Sequence, residues 1–311
     1  MKIILAPMEG VIDFAMREQL TAGGSYDHAV TEFIRVNDHL LSKSQFIKYA
    51  PELLRGGRTV SGTPVYIQLL GQDKNWMAEN ANRAAMLGAP GIDLNFGCPA
   101  KTVNNHRGGS ILLTEPSTVH NIVREVRNAV PKDIPVTVKM RLGYEDKSLA
   151  IENALAIEAA GATSLAIHAR TKAEGYKPPA HWHWIAKIKK HVTLPVVANG
   201  EIWSKEDAMN CIRESECMDI MIGRGGLSLP NLSDVIKKDA DPLSWKETCM
   251  LLVQYAQARR DVKNRNLVPN RIKQWCRYLM RQYNEADTFC KEIRTIRRYE
   301  EIMDIINRNY L

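Results

Sequence analysis

Eight short β-rich apolar runs pace the first three-quarters of the chain, and few architectures use eight in a row. They are KIILAPM (2–8), HAVTEF (28–33), PVYIQLLG (64–71), GIDLNFG (91–97), PVTVKMR (135–141), SLAIHAR (164–170), PVVANG (195–200) and MDIMIGRG (218–225). Glycine, proline or polar residues bound each run, and stretches of helical period lie between them, such as WMAENANRAAMLGA (76–89), STVHNIVREVRNAV (117–130) and LAIENALAIEAAGA (149–162). Near-continuous apolar strands alternating with helices predict a parallel sheet covered on both faces. Eight such units in this length fit an α/β (β/α)8 TIM barrel over residues 1–240. A doubly wound open sheet is the competing architecture, but the G-x-G-x-x-G it would want after the first strand is absent. Gly88 and Gly161 are expected to be left-handed residues closing two of the helices.

Past DADPLSWKE the strands stop. WKETCMLLVQYAQARRDV, RIKQWCRYLMRQYN and EADTFCKEIRTIRRYEEIMDIINR predict three amphipathic helices, a small all-helical C-terminal domain over 241–311. Charge changes at the same point. Residues 1–240 hold 28 Lys/Arg against 26 Asp/Glu, a balance of +2, whereas residues 241–311 hold 14 against 9, a balance of +5. Such asymmetry suits a polyanionic partner, although a merely solvated basic face gives the same numbers.

Six cysteines (98, 211, 217, 249, 276, 290) form no C-x-x-C pair and no zinc-ligand spacing. That argues against a disulfide framework or a structural metal and for a reducing compartment. The start of the chain has too few apolar residues before Glu9 for a secretory leader, and no run is long enough to span a bilayer. A cytoplasmic protein is expected, with a monomer as the default.

Functional residues of such barrels lie where the strands run out. Those ends read Pro7-Met8-Glu9, Glu32 with Arg35, Gln68, Asn95 with Cys98, Lys139 with Arg141, His168 with Arg170, Asn199-Gly200-Glu201 and Gly223-Arg224-Gly225-Gly226. The glycines after the last two strands offer approachable backbone N–H groups where these barrels hold a phosphate, with Arg224 as a charged partner. Lys139 lies within an apolar run, so its ammonium must face the barrel mouth. It could stabilise negative charge on a bound ring, act as a Schiff-base lysine, or pair internally with Glu9 or Glu201. His168 could hold the same ligand or be a satisfied strand-end histidine. Cys98 follows the fourth strand. A thiol near its free pKa of about 8.5 is protonated at pH 7 and can serve as an acid, but nearby Lys101 and Arg107 would favour a nucleophilic thiolate. Residue types alone leave acid and nucleophile both open.

The motifs PMEGV (7–11), QLLG (68–71), DLNFGCPAKTV (93–103), VKMRLG (138–143), HARTKAEGY (168–176), ANGEIW (198–203) and IGRG (222–225) together resemble the tRNA-dihydrouridine synthases. TEFIRVNDHLL (31–41) and RIKQWCRYL (271–279) are most similar to the bacterial C-type branch, which acts on uridine 16 of the tRNA D-loop. The resemblance implies FMN in the barrel mouth, NADPH as electron donor, hydride delivery to C6 of uracil and protonation of C5 by Cys98. It implies FMN contacts from Pro7, Met8, Glu9, Gln68, Lys139, His168, Asn199, Gly200, Glu201, Gly223 and Arg224, and orientation of the uracil by Asn95. It places tRNA contacts on Arg35, Arg141, Tyr176, Arg271, Lys273, Tyr278 and Arg294. Lys101 and Arg107 then suit RNA phosphates. Two departures stand out: His106 and Arg107 replace small residues after the cysteine, and Phe96 replaces a small residue in a place that could alter packing beneath the flavin. Two other readings remain, an FMN barrel reducing a free pyrimidine in the manner of dihydroorotate dehydrogenase, and a non-catalytic tRNA-binding protein.

Overall fold

The computed structural model describes residues 1–105, 107–259 and 267–310. Its strands are β1 (Ile3–Leu5), β2 (His28–Val30), β3 (Ile34–Arg35), β4 (Val65–Leu70), β5 (Ile92–Phe96), β6 (Val136–Arg141), β7 (Ser164–His168), β8 (Val196–Asn199) and β9 (Asp219–Ile222). Every pairing between them is parallel, in the order β2-β1-β9-β8-β7-β6-β5-β4-β3, and β2 meets β4 at Ala29–Val65 to close the barrel. The eight staves correspond to the eight apolar runs. One run differs: HAVTEF stops at Val30, and β3 resumes the pairing higher on β4. The break falls at Thr31, whose hydroxyl, rather than a backbone carbonyl, accepts from the Gln68 amide at 3.0 Å.

The helices around the barrel are α1 (Phe14–Thr21), α2 (Lys43–Tyr49), α3 (Lys74–Met86), α4 (Lys101–Asn105), α5 (Pro116–Ala129), α6 (Ala150–Ala159), α7 (Trp182–Lys189), α8 (Lys205–Ser215), α9 (Arg224–Ser228) and α10 (Leu232–Lys238). Their starts carry local signals. Asp13 caps α1 by accepting from the Met16 amide, and Ser204 with Asp207 forms a capping box on α8. Gly88 and Gly161 follow α3 and α6 at φ +93° and +88°, the left-handed geometry expected of them.

Successive side chains of a strand face opposite sides, and here the two sides differ in kind. Outward residues such as Ile67, Leu69, Ile92, Leu94, Val138 and Ile167 join the main core under the helices. Inward, a small apolar cluster of Ile4, Ala6, Val30, Ala166, Val197 and Met221 packs the barrel interior with Tyr66. Phe96 is buried on the outward side in the main core, opposite Met140, so it does not underlie the cavity at the mouth. The expected perturbation beneath a ring is therefore corrected by strand alternation.

Beyond residue 240 come α11 (Trp245–Ala258), α12 (Val268–Leu279), α13 (Glu285–Ile293) and α14 (Tyr299–Tyr310). The third amphipathic run is thus two helices, not one. The chain turns after Ile293, and Lys273 of α12 donates to the Ile296 carbonyl freed by the turn. A second expectation fails here: Cys276 and Cys290 are joined in a disulfide between α12 and α13, fourteen residues apart, while Cys98, Cys211, Cys217 and Cys249 are free. A link this local between neighbouring helices leaves no cysteine spacing to notice in advance.

These helices share one hydrophobic core with the barrel. Trp275, fully buried, donates from Nε1 to the Leu227 carbonyl at 3.0 Å. Arg271 donates to the Gly10 carbonyl, and Arg259 pairs with Asp13, the α1 cap. Among the described residues no helix is long and apolar enough to cross a membrane.

Candidate active site

A cavity of about 500 Å3 opens at the C-terminal ends of the strands. All eleven residues expected to hold a cofactor line it: Pro7, Met8 and Glu9 after β1, Gln68 in β4, Lys139 in β6, His168 in β7, Asn199 at the end of β8 with Gly200 and Glu201 beyond it, and Gly223-Arg224 after β9. Cys98, Asn95, Arg141, Tyr176 and Tyr278 share the same walls.

Cys98 is 9% exposed. Its loop is fixed from three sides: Asn95 Oδ1 accepts from the Gly97 and Cys98 amides at 2.9 Å each, Arg141 Nε donates to the Gly97 carbonyl at 2.9 Å, and Ser110 Oγ donates to the Cys98 carbonyl at 2.9 Å. Burial pushes the thiol pKa up, and Glu9 adds to this, against the opposing pull of the Ala100 amide, Arg141 and Arg35. Cys98 is therefore a neutral S–H at pH 7, suited to giving a proton rather than to attacking as a thiolate. The basic residues that suggested a thiolate lie elsewhere: Lys101 is exposed at the start of α4, and Arg107 pairs with Glu115 on the surface. His106 lies outside the described residues.

Lys139 reaches into the cavity and donates to Asn199 Oδ1 at 3.2 Å, while Asn199 Nδ2 donates to the Met221 carbonyl at 2.8 Å. Burial and the Arg141 charge push the ammonium down to about 8. Its partner is thus an amide, not Glu9 or Glu201. His168 is buried, with Nδ1 lacking a hydrogen-bond partner. Burial, with Arg141, Lys139, Arg170 and Arg224 around it, holds the imidazole well below its ordinary range, so it is neutral.

The far wall is a sequence of guanidiniums and rings. Arg141 and Arg224 lie 5.1 and 4.9 Å from the centre of Tyr176, Arg224 lies 4.9 Å from Trp203, and Arg281 lies 4.1 Å from the same indole. Trp203 Nε1 donates to Glu201 Oε1 at 2.7 Å, and Arg170 pairs with the other oxygen of Glu201. The glycines here are needed for space as well as for approach. A Cβ on Gly225 would sit 2.0 Å from the Ile202 carbonyl, and Gly200, at φ +120°, lies against the His168 ring.

The remaining expectations divide. Arg141, expected on RNA, is 3% exposed, and its Nη1 serves the Thr171 and Gly175 carbonyls at 2.9 Å, so it meets a ligand only inside the cavity. Tyr176 is 52% exposed on the rim. Arg35, half-buried in β3, is near Cys98 but not in the cavity wall. Glu32 accepts from the Gly10 amide and so holds the loop after β1. Arg271 clamps that same loop. Lys273 and Arg294 lie apart, in a second concavity of about 800 Å3 shared with Asn270, Thr295, Arg297 and Arg298. Sequence reasoning misses Trp203 and Arg281. Trp203 stands in view within ANGEIW, whereas nothing marks Arg281 among its neighbouring arginines.

Residues 4–299 match the profile of the dihydrouridine synthase (Dus) family. The chain is 55% identical to the tRNA-dihydrouridine(16) synthase of Shewanella oneidensis over 99% of this chain and 98% of that one. It is 50% identical to the protein of the same name from Pseudomonas putida (94% and 93% covered) and 46% identical to that of Haemophilus influenzae (97% and 98%). Among solved structures, a variant of NCR from Zymomonas mobilis aligns with a TM-score of 0.56 at 15% identity, covering 78% of this chain and 88% of that one. Morphinone reductase in complex with tetrahydroNAD aligns at 0.57 and 11%, with 78% and 88% covered. These two likenesses establish the barrel fold.

Proposed function

The chain belongs to the dihydrouridine synthase family, and from that membership we propose that it reduces uridine 16 in the D-loop of tRNA to 5,6-dihydrouridine, with FMN as bound cofactor and NADPH as electron donor. The observation that carries this reading is Cys98, a neutral thiol held at one edge of a cavity whose other walls carry all eleven residues expected around the flavin.

The residues present fit FMN. His168 Nδ1 is a buried polar atom without a partner, Gly200 and Gly223 leave backbone open to close approach, and Arg224 stands beside them as a phosphate partner. Bound and reduced by NADPH, FMN would supply the hydride for C6 of the uracil. Lys139, still mostly charged at pH 7, would stabilise negative charge on the reduced ring. Asn95 would orient the base, since only one of its Nδ2 hydrogens is used by Gln68. Cys98 would give its S–H proton to C5 and recover one from solvent, so that hydride and proton together saturate the C5–C6 bond. A base inside folded RNA must leave its stack to enter such a cavity. Tyr176 and Tyr278 on the rim, Arg35, and the basic helices beyond residue 240 would receive the surrounding RNA, with residues 1–240 as the catalytic barrel and 241–311 as the RNA-holding region. Such an enzyme acts in the cytoplasm.

The test is to incubate purified protein with NADPH and tRNA from a strain lacking this gene, and to map dihydrouridine by position. Reduction at 16 alone is expected. Reduction at another D-loop position would refute the site choice, and no reduction by flavin-loaded protein would refute the activity.

A further inference from the structure

Asp93 is buried inside the barrel and has no task in the reaction described. Register sets Gln68 of β4 beside it on one side and Thr137 of β6 on the other. Gln68 Nε2 donates to Asp93 Oδ2 at 2.7 Å, and Thr137 Oγ1 donates to Asp93 Oδ1 at 2.5 Å. One step higher, Asn95 Nδ2 donates to Gln68 Oε1 at 2.8 Å, and Asn95 Oδ1 accepts from the Gly97 and Cys98 amides.

The two ends of this chain dictate everything between them. Backbone N–H groups can only donate, so Asn95 must turn its oxygen toward Cys98 and its nitrogen toward Gln68. A carboxylate can only accept, so Gln68 must turn its nitrogen toward Asp93 and its oxygen toward Asn95. An amide without such an anchor can rotate by half a turn at little cost in shape, and its hydrogen-bonding sense then reverses. We propose that Asp93 is a positioning residue: its carboxylate sets the donor–acceptor sense of Gln68 and Asn95, and through them the seating of the Cys98 loop. The inference rests on the function proposed above and goes beyond it. One N–H of Gln68 and one of Asn95 remain free, so the cavity always presents donors, never amide oxygens, at these two places.

The groups facing Asp93 are Gln68 and Tyr66 from β4 and Thr137 and Lys139 from β6. Burial pushes its pKa up to about 6, against the pull of the Gln68 and Thr137 hydrogen bonds and of Lys139. Above that pH it is an acceptor only. As pH falls through it, the acid gains a proton and can donate, and the chain loses its fixed sense.

Two variants of the flavin-loaded enzyme separate polarity from charge. Asp93→Leu removes the acceptor at similar volume. It should lower kcat for tRNA reduction by about a hundredfold, the usual cost of misplacing a reacting group by about an ångström, with KM for tRNA unchanged and the visible flavin spectrum shifted. Asp93→Asn keeps an oxygen for Gln68 but, like the protonated acid, can also donate; its kcat should lie between those of D93L and wild type, at the wild-type low-pH level, with no acid limb near pH 6. Wild-type kcat in D93L overturns the proposal, as does equal damage in both variants, which would assign the effect to charge opposite Lys139. If D93L does not fold, Thr137→Val replaces it: loss of the hydroxyl donor raises the Asp93 pKa, so the acid limb must move to higher pH, and an unmoved limb overturns the proposal. Wild-type protein that makes no dihydrouridine refutes the function; an active wild type with an unaffected D93L refutes the relay alone.

Discussion

The cavity at the barrel mouth and the basic concavity on the C-terminal helices are both lined by polar groups, yet they are built in opposite ways. In the mouth, Lys139, Arg141, His168, Asn95 and Asn199 come from strands whose register fixes neighbours to within a residue, and most of their donors are bound to named acceptors. In the second concavity Arg294, Arg297 and Arg298 occupy the turn between two helices. The first arrangement determines where an atom must be. The second determines only that charge is present. Chemistry on one carbon of one base needs the first kind, and attraction of a phosphate backbone, which is alike at every nucleotide, needs no more than the second.

Variants can break this contrast. The largest effect is expected from Cys98→Ala, which should cut dihydrouridine formation by about 10²–10⁴-fold, the usual worth of a general acid, with flavin content and tRNA affinity unchanged. A gel-shift titration showing weakened binding would mean that the mouth also serves as grip. Next, reversing Lys273 and Arg294 together to Glu should weaken tRNA binding at every salt concentration and flatten its salt dependence by about 0.9 for each phosphate no longer neutralised. NADPH oxidation by the bound flavin should not change; if it falls in step, the two regions are not separable.

Smaller still is the effect of pH on cofactor loading. Lys139 loses its proton as pH rises through about 8, so the affinity of apoprotein for reduced FMN should fall above that pH, by up to about tenfold per unit. An anaerobic titration with reduced FMN giving one Kd from pH 7 to 9 would remove Lys139 from the cofactor's charge partners. The smallest effect belongs to Arg107→Ala. With its guanidinium already on Glu115, tRNA affinity should stay as it is, and a measurable loss would show that the ion pair opens for RNA.

Most of the mouth is legible in the sequence because a parallel barrel turns order along the chain into position around a ring. Once eight runs are counted, the polar residue ending each run has an address. Asp93 escapes notice because DLNFG reads as an apolar run. Only alternation, with Ile92, Leu94 and Phe96 outward and Asp93 and Asn95 inward, separates its two chemistries, and the same alternation removes Phe96 from the site. Arg141 is expected on RNA from the resemblance alone, and VKMR does not show the three carbonyls that take up its donors. The split of the second run rests on a Thr31 hydroxyl standing in for a backbone acceptor, which no propensity encodes. The C-terminal helices are least legible. Helical period locates them, but the turn after Ile293 and the Cys276–Cys290 link depend on packing between helices.

The seam between barrel and helices has a consequence for exchange between relatives. Arg271 holds the Gly10 carbonyl, three residues past Pro7 in the cavity wall, while its helix also carries Lys273 of the second, basic concavity. Trp275, four residues further on, plugs the floor between them through Leu227. A helical region grafted from a relative would therefore bring its own fit to the first loop of the barrel. The helical region is not a detachable cartridge in this architecture; replacing it means recutting the joint at Gly10, Asp13 and Leu227 as well.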